Sequence, residues 1–504
     1  MGKDASSQKM TCRPRLLLLF PFLVVGLGMI IGLGLVAVGL LLPPPSPIDP
    51  LQIQSEPWKV ATGTQLTIQS TSPRPGQAIS LTLLAPGPGL PQIESLPSEY
   101  FGLAGVQIPW LLPEYRRTEI ALAAAAGART IGLDFDWRRI EPERGRYAWD
   151  DIDEAVALAK EVDLRLVPML LYTPPWASTA RYAPLDSHHA PPADYAAYRD
   201  FVYAAVDRYK PYGASPLTAG GYGISDWVIW NEPNLRTPGE APEPDDFWTG
   251  SLEEYLLLLR AGYEGARAAD PNCNVLNGGL TDIPWSGEAQ YLAKALERFY
   301  DPNGDGDASD GARPFFDTLN LHLYQAASPD PAWYERRLEA VLEVMERFGD
   351  GGKPVWITET GYGSVPAPDP DSPYVDEATQ AQAVPLIYRA TSAYPQVERV
   401  LWWSLRDYHH NASAANSAME SHYGLLRASF EPKPAYLAYG RLTGRVGEVL
   451  TLKATTGEDG LAQVQVPASF ITRPGRYLVF ASAEGAPVAV LATCEALAGT
   501  GGED

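Results

Sequence analysis

The sequence predicts a (β/α)8 barrel, carried between two all-β segments and preceded by a transmembrane helix. Two observations predict the barrel. From about Ala104 to Thr443 short β-rich runs alternate with amphipathic helical runs, the pattern of a parallel sheet wrapped by helices. The units number eight, with strands expected at Ala104–Trp110, Thr130–Trp137, Arg165–Thr173, Asp226–Asn231, Asn274–Leu280, Phe316–Tyr324, Pro354–Glu359 and Arg399–Leu405. Helical stretches such as Trp149–Val162, Ala193–Tyr209, Ser251–Ala269, Pro331–Phe348 and Asp376–Ala393 lie between them, and a last helix follows Pro434. Eight-fold alternation over about 340 residues fits a closed barrel better than an open doubly wound sheet. No Gly-x-Gly-x-x-Gly fingerprint follows any strand, which removes a dinucleotide-binding fold.

The flanks obey a different period. Trp58–Leu84 and Glu448–Leu491 alternate apolar and polar residues between Gly and Pro turns, as half-exposed strands do. The pieces beginning Pro75-Gly76-Gln77-Ala78 and Asp459-Gly460-Leu461-Ala462 resemble strand openings of bacterial immunoglobulin-like modules. The reading is one sandwich assembled from both flanks with the barrel inserted; separate β decorations are the alternative. Residues 58–100 form the first flank, 101–445 the barrel and 446–504 the C-terminal module.

Leu16–Leu42 is an uncharged apolar run, longer than the ~7–15 residues of a cleavable signal core and sufficient for the ~20 of a spanning helix. Lys3, Lys9, Arg13 and Arg15 precede it, and no Lys or Arg follows until Lys59, so the positive-inside rule leaves residues 1–15 cytoplasmic. Residues 43–57 are a Pro-rich spacer. The expected location is a single-pass membrane protein with its catalytic domain outside, or a secreted one if the segment is cleaved. With 39 Lys plus Arg against 61 Asp plus Glu, the net charge of -22 argues against nucleic acid as a partner. The three cysteines, Cys12, Cys273 and Cys494, are too scattered to read as a disulfide framework.

In such a barrel, function gathers at the C-terminal ends of the strands. Strand four ends in Asn231-Glu232-Pro233-Asn234 and strand seven in Glu359-Thr360-Gly361, so two carboxylates sit at matching ends. Paired carboxylates across a sugar support glycosidic cleavage, with retention or inversion decided by their spacing. Period-two alternation puts His322 and Tyr324 on one face of strand six, aimed at the site if Leu323 faces the helices. Aromatic faces can cover sugar C–H groups, and Trp402 or Trp403 at strand eight is the expected platform, Trp402 preferred, with Trp137 and Trp176 lining the same cleft or filling the barrel mouth. No metal or cofactor is expected, because two carboxylates suffice. Asp301–Asp307 has the oxygen spacing of a calcium loop but carries Ala312 where the bidentate glutamate belongs.

Trp230-Asn231-Glu232-Pro233-Asn234 and Trp356-Ile357-Thr358-Glu359-Thr360-Gly361 resemble the signatures of clan A glycoside hydrolases. Ile140-Glu141-Pro142-Glu143-Arg144-Gly145, Tyr172-Thr173-Pro174-Pro175-Trp176 and Asn320-Leu321-His322-Leu323-Tyr324 support the likeness, which runs from about Phe101 to Thr443. Within the clan it is nearest to β-xylosidase and α-L-iduronidase-like or cellulase-like barrels. The resemblance implies a retaining enzyme with Glu232 as acid/base, Glu359 as nucleophile and Asn231 bonded to the sugar 2-hydroxyl. It also implies an arginine in strand two, where this chain has Gly132, with Arg138 or Arg139 as substitutes.

The expected function is hydrolysis of a β-linked oligo- or polysaccharide. A transglycosylase using the same intermediate and a noncatalytic carbohydrate-binding surface protein are the rivals; retention of both carboxylates disfavours the second. Protease added to intact cells should release a catalytic fragment of nearly full size if Leu16–Leu42 spans the membrane. Soluble protein beginning near Pro43 without added protease would show cleavage instead.

Overall fold

The computed structural model describes residues 52–53, 58–61, 66–71, 76–93, 96–106, 113–180, 188–235, 246–282, 291–325, 328–366, 368, 374–407, 421–483 and 490–497. The expected membrane segment Leu16–Leu42 lies outside them. Among the described residues no helix is long and apolar enough to cross a membrane.

Four strands precede the barrel: β1 (Gln52–Ile53), β2 (Trp58–Ala61), β3 (Leu66–Thr71) and β4 (Ala78–Pro86). The barrel strands are β5 (Phe101–Ala104), β6 (Thr130–Asp136), β7 (Arg165–Leu171), β8 (Asp226–Asn231), β9 (Asn274–Thr281), β10 (Leu319–Leu323), β11 (Val355–Thr360) and β12 (Val397–Trp403). They close in the order β10-β11-β12-β5-β6-β7-β8-β9, and the eight-stranded parallel barrel expected from the sequence is what the chain forms. Alternation then sorts each strand. Ile131, Leu133 and Phe135 of β6, or Leu319, Leu321 and Leu323 of β10, pack outward against the helices. Val167, Val228, Leu276 and Trp356 form a separate cluster inside the barrel, a filled layer beneath the mouth.

The first strand differs from its expected bounds. Ala104 ends β5 instead of beginning it, because Phe101 and Leu103 are the residues buried between β12 and β6, and Gly105 turns the chain at φ 61°. Helices Pro113–Ala126 and Tyr291–Tyr300 add to those read from the sequence; Ala121–Ala126 offers no polar contrast from which to infer a face. Side-chain caps fix several helix starts. Ser251 and Glu254 form a capping box, and Asp194, Asp330 and Asp376 accept from first-turn amides.

Four strands follow the barrel: β13 (Val446–Thr455), β14 (Leu461–Val466), β15 (Gly475–Ala483) and β16 (Val490–Leu497). The flanks pair with each other. One sheet runs β1-β3-β14 and the other β13-β4-β15-β16-β2, so β4 lies between two C-terminal strands. Ile79, Leu81 and Leu83 of β4 meet Val464, Val466, Tyr477 and Val479 in one core between the sheets. The opposite parity, Leu84 with Leu478 and Phe480, joins the barrel core, where Phe480 meets Tyr436 of helix Pro434–Leu442.

β4 therefore depends on residues some 370 positions later, counted from the pairing of Thr82 with Thr451. A chain ending before Val446 should lose the protease protection of Ala78–Pro86. In the full chain Leu83→Ala, at a fully buried position, should lower stability by about 2–5 kcal/mol in denaturant unfolding.

Candidate active site

β8 is buried along its whole length, and its end is conformationally unusual: Trp230 has φ 73° and Glu232 φ 38°, values costly for side-chain-bearing residues. Neighbours hold this shape. Trp230 donates its indole N–H to the Phe247 carbonyl at 2.8 Å. Asn234 clamps the following turn to the end of β9, donating to the Thr281 carbonyl at 2.8 Å and accepting from its amide at 3.0 Å. The result is a Glu232 side chain held over the barrel mouth and 7% exposed.

Glu359 reaches the same place through a bulge. β10 and β11 pair Leu321 with Ile357 and then His322 with Glu359, so Thr358 is an extra residue in β11. A bulge re-aims the side chains beside it. Thr358 and Glu359 consequently both reach the inner groups of β10. Tyr324 donates its hydroxyl to Glu359 Oε2 at 2.7 Å, and Thr358 Oγ1 lies 3.1 Å from His322 Nε2. His322 Nδ1 is 2.8 Å from Glu232 Oε1 and 3.5 Å from Glu359 Oε2. Gly279 of β9 makes room for the ring, since a Cβ there would lie 2.0 Å from His322 Nε2.

Among the described residues, Glu232, His322 and Glu359 form the one trio of His, Cys, Asp or Glu with ligand-capable atoms within 4.8 Å of one another. The His322–Glu232 hydrogen bond and the approach of His322 to Glu359 account for the closeness. Burial pushes Glu232 up to about 8, against a smaller lowering by the Thr281 hydroxyl. Burial also pushes Glu359 up to about 7; His322 and the Tyr324 hydroxyl oppose this, while the charges of Glu232 and Asp134 add to it. Burial drives His322 the other way, below its ordinary value, so the neutral imidazole is favoured. Two buried carboxyls, both pushed upward, thus face one cleft, and a carboxyl pair can support acid-assisted displacement at a sugar carbon.

Residues 225–432 match the family model for the glycosyl hydrolase catalytic core. That span contains both glutamates, His322 and Tyr324. A β-xylosidase of Caldicellulosiruptor saccharolyticus is 22% identical over 242 residues, which are 46% of this chain and 43% of that protein. The chain therefore matches less than half the length of this curated relative. A family 39 glycoside hydrolase from Bacteroides cellulosilyticus WH2 superposes with a TM-score of 0.50 at 15% identity, covering 85% of this chain and 89% of that one. GH5_18 from Streptomyces cattleya gives 0.50 at 16% identity, covering 69% and 80%. These two structures bear on the fold alone, and they share the (β/α)8 barrel.

At the mouth of the barrel the structure brings together Glu232, Glu359, His322 and Tyr324, with Asn231 beside them, buried and with no protein partner for Oδ1. Two tryptophan expectations change. Trp402 is fully buried and packs outward with Val400, its indole bonded to the Tyr423 carbonyl, so it cannot be a sugar platform. Trp403, one residue on, is half-buried on the inner face, edge-on to Tyr324 with ring centroids 6.4 Å apart. Trp137 is fully buried, stacked on Phe201 at 5.3 Å, and belongs to the core instead of the cleft. Trp176 stays half-buried, but its ring contacts are Trp137 and Arg144.

The carboxylate of Glu141 explains the Ile140–Gly145 motif, accepting from the Trp137 indole and the Gly145 amide at 2.6 Å each. The two substitute arginines are used elsewhere: Arg138 forks onto Asp136 at 2.9 and 2.7 Å, and Arg139 lies 3.7 Å from the same carboxylate. In the acidic loop, Asp301, Asp305 and Asp307 accept from amides of their own turn. Sequence reasoning also missed Asp134, a half-buried inner residue of β6 pushed up to about 7 by burial and by Asp136. Alternation with Asp136 was the available signal for it.

Glu232, raised in the folded state, contributes stability that is complete below its unfolded value near 4.5 and is lost as pH rises through about 8. Glu232→Gln, which keeps a neutral donor facing His322, should raise Tm more at pH 8.5 than at pH 4.5. Equal shifts at both pH values would show that Glu232 is not held protonated.

Proposed function

We propose that the chain is a retaining glycoside hydrolase acting on β-linked oligo- or polysaccharides, with Glu232 as acid/base and Glu359 as nucleophile. The observation that carries this is the closeness of the two carboxyls. One oxygen of each lies within 4.8 Å of one of the other's, a closeness in keeping with the ~5–5.5 Å between carboxyl groups used for direct attack and tighter than an interposed water at ~6.5–9.5 Å asks for. In the first step the Glu359 carboxylate bonds to the anomeric carbon as the glycosidic bond breaks, and Glu232 gives its proton to the leaving oxygen. In the second, water attacks the same carbon, Glu232 takes the water's proton and Glu359 is released. Tyr324 holds Glu359 Oε2, and Asn231 offers an unpartnered amide oxygen to a sugar hydroxyl. Trp403 supplies an apolar edge beside them.

A β-xyloside is the first substrate to try, because the curated relative is a β-xylosidase. Transglycosylation would use the same intermediate with a sugar acceptor in place of water. We also place the barrel outside the cell membrane, held by Leu16–Leu42, on the strength of that run's length and the basic residues before it.

Azide separates the two glutamates. Glu359→Ala with azide should yield a glycosyl azide of inverted configuration from an activated aryl glycoside, since azide takes the nucleophile's place. Glu232→Ala should yield the retained azide, because the glycosyl-enzyme still forms and azide intercepts it. Loss of the acid should cost roughly 10²–10⁴-fold with poor leaving groups and far less with good ones. Inverted azide from both variants, read by NMR, would remove Glu359 as nucleophile.

A further inference from the structure

The hydrogen bonds behind His322 determine which of its nitrogens carries the proton. Asn320, on the inner face of β10 two residues earlier, has its amide oriented by Asn277 of β9. Its Nδ2 donates to the Asn277 carbonyl at 3.2 Å, and its backbone N–H donates to Asn277 Oδ1 at 2.8 Å. Asn320 Oδ1 is therefore the atom facing Thr358, and an amide oxygen only accepts. Thr358 gives its single hydroxyl hydrogen to Asn320 Oδ1 at 2.6 Å. What remains to Thr358 Oγ1 is acceptance, so the His322 Nε2 3.1 Å away must be the protonated nitrogen. In a neutral imidazole Nδ1 then carries the lone pair, 2.8 Å from Glu232 Oε1.

We infer that Asn320 and Thr358 are positioning residues that lock His322 as the Nε2–H tautomer, so that Nδ1 accepts the acid proton of Glu232. The tautomer decides the sign of the histidine's effect. A lone pair at Nδ1 is satisfied by protonated Glu232 and repels its carboxylate. The opposite tautomer would donate from Nδ1 and favour the carboxylate, disarming the acid. Burial of the ring, which keeps His322 neutral, acts in the same direction. The titratable groups facing His322 are Glu232 from β8 and Glu359 from β11, with Tyr324 on its own strand. Asp134 of β6 acts through Glu359, and Tyr423 through Tyr324. Gly279 completes the lock, since any side chain there would push the ring off both partners.

For the kinetic consequence the inference rests on the glycosidase reading. The proton that Nδ1 accepts is the one delivered: the glycosidic oxygen displaces His322 as acceptor, the Glu232 O–H bond breaks and the new O–H forms on the leaving group. Glu232 recovers its proton from the attacking water, and the Nδ1 lone pair draws it back.

The tautomer is read without substrate by 15N NMR of histidine-labelled protein, in which His322 is one of only six histidines. The wild type should show His322 protonated at Nε2 and bare at Nδ1 at neutral pH. Thr358→Val, which removes the acceptor, should release that preference, and the basic limb of kcat/KM should move to lower pH by about one unit. Thr358→Ser should restore both tautomer and limb. A wild-type His322 protonated at Nδ1 overturns the inference even if no variant folds. So does a folded Thr358→Val with unchanged tautomer and unchanged limb. If the wild type cleaves no glycoside, the glycosidase reading falls alone, and the NMR result still decides the tautomer lock.

Discussion

Two carboxyl groups buried at one end of a barrel cannot both be charged cheaply, and the rest of the site is arranged around that constraint. Glu232 and Glu359 are each pushed upward by loss of water, and each charge opposes the other's ionisation. The environment separates them by giving each a different partner. Glu359 receives a hydroxyl hydrogen from Tyr324, which favours its charged form. Glu232 faces an imidazole nitrogen, whose effect depends on the tautomer set by Thr358 and Asn320. The two carboxyls thus have different partners, although they are the same kind of side chain.

Holding these groups within hydrogen-bond reach requires a backbone that departs from regular strands at the mouth. β8 ends with two residues at positive φ, β11 carries an extra residue at Thr358, and β9 has a glycine where the imidazole passes. Each departure costs stability by itself. The filled layer of Val167, Val228, Leu276 and Trp356 below the mouth, with the continuous core between strands and helices, supports these local distortions. The β-sandwich adds to that support from outside, through Leu84, Leu478 and Phe480 against the barrel's last helix.

Alternation made much of this legible. Bounds of β8 and β11 were readable to within a residue because an apolar run stops at a carboxylate, and the faces of β10, though not its start, because Leu319, Leu321 and Leu323 must face helices if Asn320, His322 and Tyr324 face inward. The same rule failed for Trp402. Two tryptophans in succession give a period-two pattern no indication of which points in, and the parity is set by the pairing of β12 with β5. Trp137 misled for a related reason: an aromatic residue at a strand end fits the mouth equally well, and only the helix carrying Phe201 draws it into the core.

What the sequence determined by itself was the barrel, the all-β character of its flanks and the two glutamates at matching strand ends, because these follow from residue periodicity and strand-end position, which are local. The tertiary structure alone decided how the groups meet. That Asn277 orients Asn320, which orients Thr358, which orients His322 against Glu232, involves four strands and direct contacts between residues up to 90 positions apart. The pairing of β4 with β13 and β15 is likewise a contact between the two ends of the described chain. Hydrogen-bond direction and side-chain proximity across strands depend on register and on a single-residue bulge, and periodicity along one strand carries neither.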